Sequence, residues 1–251
     1  MILAFASLTE MFAQKEDSDK IPVPIVNSKY QETVFQKVFN AQGEDIGNTS
    51  YDASLCNPLI EGKFLIGLKT FGFGSGDQKI AQFKTNNEDW ADIVNQISKN
   101  ARNEDGSLKS KEEINSANAE LYLELAKLIA AIRNKRIGSS ISNIKGFQMD
   151  PKDDVESIYH VLMPAMEGEQ PVIQVGEISY DPINIEAITI IGCTTARKPT
   201  NFVFTDGNHT YRFTSADSQL LMDFDNEAIV KETWQVKYAD DAYGLFSDIA
   251  D

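Results

Sequence analysis

A mixed α/β (α+β) fold is predicted by three observations. Apolar residues recur at helical spacing before about residue 140, they gather in short β-rich runs after about 157, and one strand pair interrupts the helical part. A helix-rich part followed by a sheet-rich part gives α+β or mixed α/β, with a possible second subdomain. With 251 residues, 42% of them hydrophobic, the chain can bury a real core in one large domain or two small ones. The expected division is 1–150, carrying the helices and the strand pair, and 151–251, a strand-rich part that is either separate or integral to the same domain.

In order along the chain, MILAFASLTEMFAQ reads as an amphipathic helix with Leu3, Leu8, Met11 and Phe12 on one side. It lacks the basic flank and cleavage site of a signal peptide, and no run of about 18 apolar residues follows, so neither export nor membrane insertion is expected. Pro22 and Pro24 impose an extended segment. Ser28 is positioned to cap a helix through SKYQETVFQKVFNAQG, with Tyr30, Val34, Phe35, Val38 and Phe39 at helical spacing and Gly43 as its stop. TSYDASLC and KFLIGLKTFG then suit pleated sheet, with NPLIEG as the turn. GFGSGDQKIAQFK reads as a glycine-rich bend entering a short helix. NNEDWADIVNQISKNAR is another helix, with Trp90, Ile93, Val94 and Ile97 on one face. A third starts at Ser110, where S-K-E-E fits a capping box, and ends near Arg133. SIYHVLMPAM, PVIQVGEISY, IEAITIIGCTT, NFVFT and HTYRFT are strands, the last two joined by DGN.

The net charge of −15, from 38 acidic and 23 basic side chains, weighs against nucleic acid as a partner when taken alone. A local basic cleft, or a use of carboxylates to gather divalent cations, reopens that possibility. Cys56 and Cys193 lie in apolar runs and suit buried thiols in a reducing cytoplasm rather than a disulfide framework. Two histidines and no closely spaced cysteine pair make a zinc site improbable.

Lys69 in FLIGLKTF is the residue that needs an explanation, because an ammonium in so apolar a strand is costly unless something pairs with it. If the two strands pair antiparallel with Leu55 opposite Phe64, Asp52 falls opposite Gly67 and Lys69 lies just beyond on the same face. One aspartate and one lysine then converge.

Here the stretch resembles the PD-(D/E)XK nuclease superfamily, and within it the type II restriction endonucleases. The resemblance covers about residues 28–84: a helix bearing Glu32, a strand entering with Asp52 in SYDAS, a turn, and a second strand ending in IGLKT, with a helix expected soon after. It implies a restriction-endonuclease-like core, a mixed central sheet flanked by helices. It also implies Mg²⁺-dependent, site-specific cleavage of double-stranded DNA, with Asp52 and the Leu68 main-chain carbonyl as metal ligands, Glu32 as auxiliary acid, and Lys69 orienting or activating the attacking water. A homodimer acting on palindromic sites is implied as well. Mg²⁺ prefers oxygen ligands and eases deprotonation of bound water, while a neighbouring ammonium stabilises charge on the phosphorane-like transition state.

Gly67 departs from the pattern, which asks for an acid there. Three readings stay open: an acid supplied from elsewhere (Glu32, Asp77 or Glu88), an inactivating change from acid to glycine, or an edge-strand lysine with no catalytic role. A second E-X-K, Glu61-Gly62-Lys63, falls in the turn and is rejected on geometry. The rival functions are a silent DNA-binding protein on the same scaffold and a protein-interaction domain.

Further DNA contacts are expected from Ser75, Gln78 and Lys79 after the glycine-rich bend. The basic segment RNKRIGSSISNIKG offers Arg133, Lys135, Arg136 and Lys145, and the loop TTARKPTN offers Arg197 and Lys198. His160 reads as structural. His209 and Arg212 on the DGN hairpin are candidates for reading base edges, against the plainer reading of an exposed hairpin.

Overall fold

A computed structural model describes residues 1–12, 20–43, 50–56, 62–143, 155–241 and 243. The fold is mixed α and β, with two multi-stranded sheets in two compact units that interleave along the chain. The first unit comprises residues 1–75, 139–181 and 225–251, and the second 76–138 and 182–224, so each draws on both halves of the sequence. No helix among the described residues is long and apolar enough to cross a membrane.

The first unit is built on a six-stranded sheet of β1 (Gln42–Gly43), β2 (Ala53–Leu55), β3 (Lys63–Thr70), β5 (Val155–Pro164), β6 (Val172–Ser179) and β11 (Val230–Gln235), in the spatial order β1-β2-β3-β5-β6-β11. The β3–β5 pair is parallel and the others are antiparallel. Helix α3 (Ser28–Phe39) covers one face, with Phe35 against Ala53, Ile66 and Leu68 and Val34 against Leu162, Ile173 and Val175. Side chains alternate along β3, so Leu65, Gly67 and Lys69 point to the opposite face. Asn27, one residue earlier than expected, caps α3 by accepting the Tyr30 N–H at 2.9 Å. Val38 and Phe39 remain exposed.

The N-terminus differs from the expected single helix. It forms two short helices, α1 (Ile2–Ala6) and α2 (Thr9–Phe12), with Ser7 Oγ donating to Ala4 O at 2.8 Å at the break. The buried side is Ile2, Ala6 and Thr9, whereas Leu3, Met11 and Phe12 face solvent. Small residues at the break let the helices lie close to the sheet, and that packing overrides the larger apolar side chains.

The second unit carries an all-antiparallel sheet of β4 (Gln78–Gln82), β7 (Thr189–Thr195), β8 (Lys198–Thr205), β9 (Thr210–Thr214) and β10 (Gln219–Met222), in the order β4-β10-β9-β8-β7. A 3-10 helix over Lys84–Trp90 leads into α4 (Ala91–Asn100), and α5 runs from Lys111 to Asn143. Trp90 sits edge-on to Phe83 and Phe213, with centroids at 6.0 and 5.9 Å, and Tyr122 of α5 stacks on Phe202 at 4.9 Å. Each such buried ring contributes roughly 1.5–3 kcal/mol by leaving water. The capping box at the start of α5 is reciprocal: Ser110 N donates to Glu113 Oε2 at 2.9 Å, and Glu113 N donates to Ser110 Oγ at 3.3 Å.

Two expectations for this part fail. DQKIAQF is not a helix but contains edge strand β4, because β10, a four-residue strand with little sequence signal, offers it a partner. Helix α5 continues ten residues past Arg133 through GSSISN, where Ile137 and Ser140 are buried and tertiary packing outweighs weak helix propensity.

Candidate functional site

The hairpin pairs in the expected register: Ala53 opposite Ile66, Ser54 opposite Leu65, and Leu55 opposite Phe64. Asp52 extends it by donating its N–H to Ile66 O at 2.9 Å. Its carboxylate turns in toward the lysine strand, where Oδ2 accepts the Leu68 N–H at 2.6 Å, a short charge-assisted bond. A strand residue projects its N–H and C=O to the same side, so the Leu68 carbonyl faces the Asp52 edge too. The Ser50 N–H farther along that edge is taken by Ser140 Oγ at 2.9 Å. Asp52, the Leu68 main chain and Lys69 thus share one strand end.

The space at Gly67 is filled by tyrosine rings. Gly67 pairs with Tyr159 on β5, and a Cβ at Gly67 would lie 2.7 Å from both Cδ1 and Cε1 of Tyr159 and 3.4 Å from Cδ1 of Tyr180. Tyr159 and Tyr180 stack at 3.9 Å, and Tyr51 meets Tyr180 edge-on at 5.3 Å while its hydroxyl pairs with Ser157 Oγ at 3.1 Å. Half-buried Lys69 places its Nζ 5.6 Å from the Tyr159 ring centroid, within cation–π range. An acid at position 67 would require the Tyr159 ring to leave.

Of the three acids considered as replacements, Glu32 does not join Gly67 on its face. Glu32 belongs to α3, on the other face of the sheet, and pairs with Lys29 at 2.7 Å. Asp77, in the second unit, holds Arg212 at 2.8 Å, and Glu88 is exposed on the 3-10 helix of that unit. Among the described residues no three His, Cys, Asp or Glu side chains gather as a metal centre. The donor set at the hairpin is one carboxylate and one main-chain carbonyl. Both are hard oxygen donors, and Mg²⁺ is commonly held by one or two carboxylates with substrate phosphate and water completing the shell. On that chemistry the set fits.

The expected DNA-contact residues divide into two groups. Arg133 is buried, and Arg136 is tied down by bonds to Gln82 O at 2.6 Å and Asn86 Oδ1 at 3.0 Å, with its guanidinium 4.7 Å from the Phe83 ring centroid. Burial pulls the Arg136 pKa below its ordinary value. Both lie within α5 rather than on a mobile loop, so they anchor the second unit; Lys135 beside them is exposed, and Lys145 falls outside the described residues. Arg212 serves the ion pair with Asp77. His209 is half-buried at the hairpin end, with its main-chain N–H donating to Asp206 Oδ1 at 2.9 Å. Ser75 and Lys79 are exposed and Gln78 half-buried, while Arg197 and Lys198 are exposed at the two-residue turn between β7 and β8.

His160 has partners on both sides: Nδ1 is 3.4 Å from Glu177 Oε1, and its ring lies 5.3 Å from that of Phe35. The hydrogen bond from His160 holds the Glu177 carboxyl below its usual pKa. These two residues border an apolar cavity of about 540 Å³ lined by Val34, Phe35, Leu162 and Trp234. Cys193 is buried, which pushes its thiol pKa up; Cys56, against expectation, is exposed because it follows β2 at the end of the strand.

Sequence reasoning missed Tyr51, Tyr159, Tyr180 and Ser157. Tyr159 stands in a segment correctly read as strand and Tyr51 just before β2 in the segment read as its strand, but nothing local marks β5 as the parallel neighbour of β3. The chain matches no protein-family model, no curated protein and no solved structure.

Proposed function

We propose that the protein is a Mg²⁺-dependent, site-specific endonuclease of the type II restriction class, acting on double-stranded DNA as a cytoplasmic homodimer. The observation that carries this reading is the bond between the Asp52 carboxylate and the Leu68 N–H, which joins the aspartate to the strand end that bears Lys69. The mixed sheet supports it as a restriction-endonuclease-like core: the lysine strand has the aspartate strand antiparallel on one side and β5 parallel on the other, with α3 over one face.

Asp52 and the Leu68 carbonyl would hold the metal. When bound, Mg²⁺ supplies polarisation of the phosphodiester and a lowered pKa for the attacking water. Lys69 donates to a non-bridging phosphate oxygen or to that water, so its positive charge meets the negative charge that grows in the transition state. Tyr159 beneath it limits the directions the ammonium can take.

A second reading, a silent DNA-binding protein on the same scaffold, is favoured by the Tyr159 ring filling the Gly67 position. One experiment separates the two. The full chain is incubated with phage-sized DNA, with Mg²⁺ or with EDTA, beside Lys69→Ala. Discrete fragments that need both Mg²⁺ and Lys69 are expected. Salt-dependent binding without cleavage would leave the silent scaffold, and neither binding nor cleavage would overturn both.

A further inference from the structure

The second unit contains a cavity of about 400 Å³ whose charge contradicts that of the chain. Arg102, Arg197 and Lys198 line it, and no aspartate or glutamate does, although acidic residues outnumber basic ones 38 to 23 overall. Three separate elements deliver the cations and their neighbours. Arg102 follows α4, its Nη1 fixed to Gly106 O at 2.8 Å across the turn that brings Leu108 back beside it. Arg197 comes from the β7–β8 turn and Lys198 from the first position of β8. Neither of these two has an ion-pair partner among the described residues, in contrast to Arg212.

The uncharged lining is also arranged to donate. Asn201 Oδ1 already accepts the Ser215 N–H at 3.0 Å and its hydroxyl at 3.3 Å, which leaves the Asn201 NH₂ group as a donor. Thr200 Oγ1 and Ser215 Oγ share a 2.6 Å bond. Leu108 and Pro199 give one apolar wall. Crowding cations in one concavity without a counter-charge is unfavourable in the empty protein, and an anion relieves it. The volume lies within the range of small-ligand pockets, larger than one tetrahedral oxyanion needs.

We propose that this cavity binds a phosphate ester, with the phosphate held by Arg102, Arg197, Lys198 and the Asn201 amide, and the organic part lying against Leu108 and Pro199. The ester is either a nucleotide unit of a DNA strand or a free phosphorylated small molecule. Only the strand source rests on the DNA reading above.

The test uses the full chain and the double variant R197Q/K198Q, which alters two exposed side chains and leaves the hairpin untouched. Binding of a fluorescein-labelled duplex oligonucleotide is measured in EDTA across a salt series, and binding of inorganic phosphate and AMP by calorimetry. For the strand source the variant weakens duplex binding by at least about tenfold and lowers the salt slope by about 2, one per phosphate contact removed. For the free source the wild type binds AMP or phosphate and the variant does not, with duplex binding unchanged. The proposal is overturned if the variant equals the wild type with every probe. Because EDTA removes cleavage from the readout, a failed nuclease assay leaves these outcomes intact, and the reverse holds as well.

Discussion

Gly67 and Gly192 are both strand glycines whose missing side chain is replaced by another residue, one in each unit, and the difference lies in what demands the glycine. At Gly67 the demand is space alone: the ring of Tyr159 occupies the volume beside a paired strand residue, as when an aromatic neighbour covers a glycine in a sheet. At Gly192 two demands coincide. The backbone has φ of +129° at a register shift between β7 and β8, and the amide of Asn115 occupies the Cβ position while its Oδ1 accepts the Cys193 N–H at 2.8 Å. A glycine held by space can be exchanged if its neighbour shrinks. One held by backbone as well cannot.

That contrast is most severely tested by Gly192→Ala, which combines positive-φ strain with a collision against Asn115 and is expected to cost on the order of 3 kcal/mol. Chemical denaturation of the full chain measures it; a loss below about 1 kcal/mol would show that the strand relaxes and that the two glycines are equivalent. Gly67→Ala is expected to cost less, about 2 kcal/mol, from overpacking against Tyr159. Combined with Tyr159→Ala, the same change should become neutral, because the opposing ring is gone. A double-mutant cycle with no coupling would mean that the ring is not what excludes a side chain at 67.

These two glycines also mark how far the sequence could be read. The hairpin register followed from the two strand sequences, since one matched pair, Leu55 with Phe64, fixes every other pair in the ladder. Ser110 and Glu113 likewise announced the start of α5 because a capping box is local chemistry. Gly67 looked like a missing acid because its neighbour Tyr159 is some ninety positions away and parallel, a relation no local pattern records. QKIAQ was misread because its strand partner, QLLM, is too short to show a period. Arg197 and Lys198 were visible as a basic turn, but Arg102 was not, because two segments distant in sequence must fold together before their charges meet. Arg136 gave the same basic signal and proved to be an anchor.

The smallest expected effect concerns Lys69→Met, and it bears on why a lysine was kept beside those rings at all. Methionine preserves the apolar stem and removes the ammonium, so the structural loss includes the cation–π contact with Tyr159, itself worth on the order of 0.5–1 kcal/mol. A thermal unfolding shift of a few degrees at most is expected, together with complete loss of Mg²⁺-dependent cleavage. If stability falls by more than about 2 kcal/mol, the lysine is a structural partner of the Tyr159 and Tyr180 rings, and its presence in an apolar strand is explained without catalysis. If stability barely changes, packing supplies no reason for the charge, and the reason must lie with what the hairpin holds at its end.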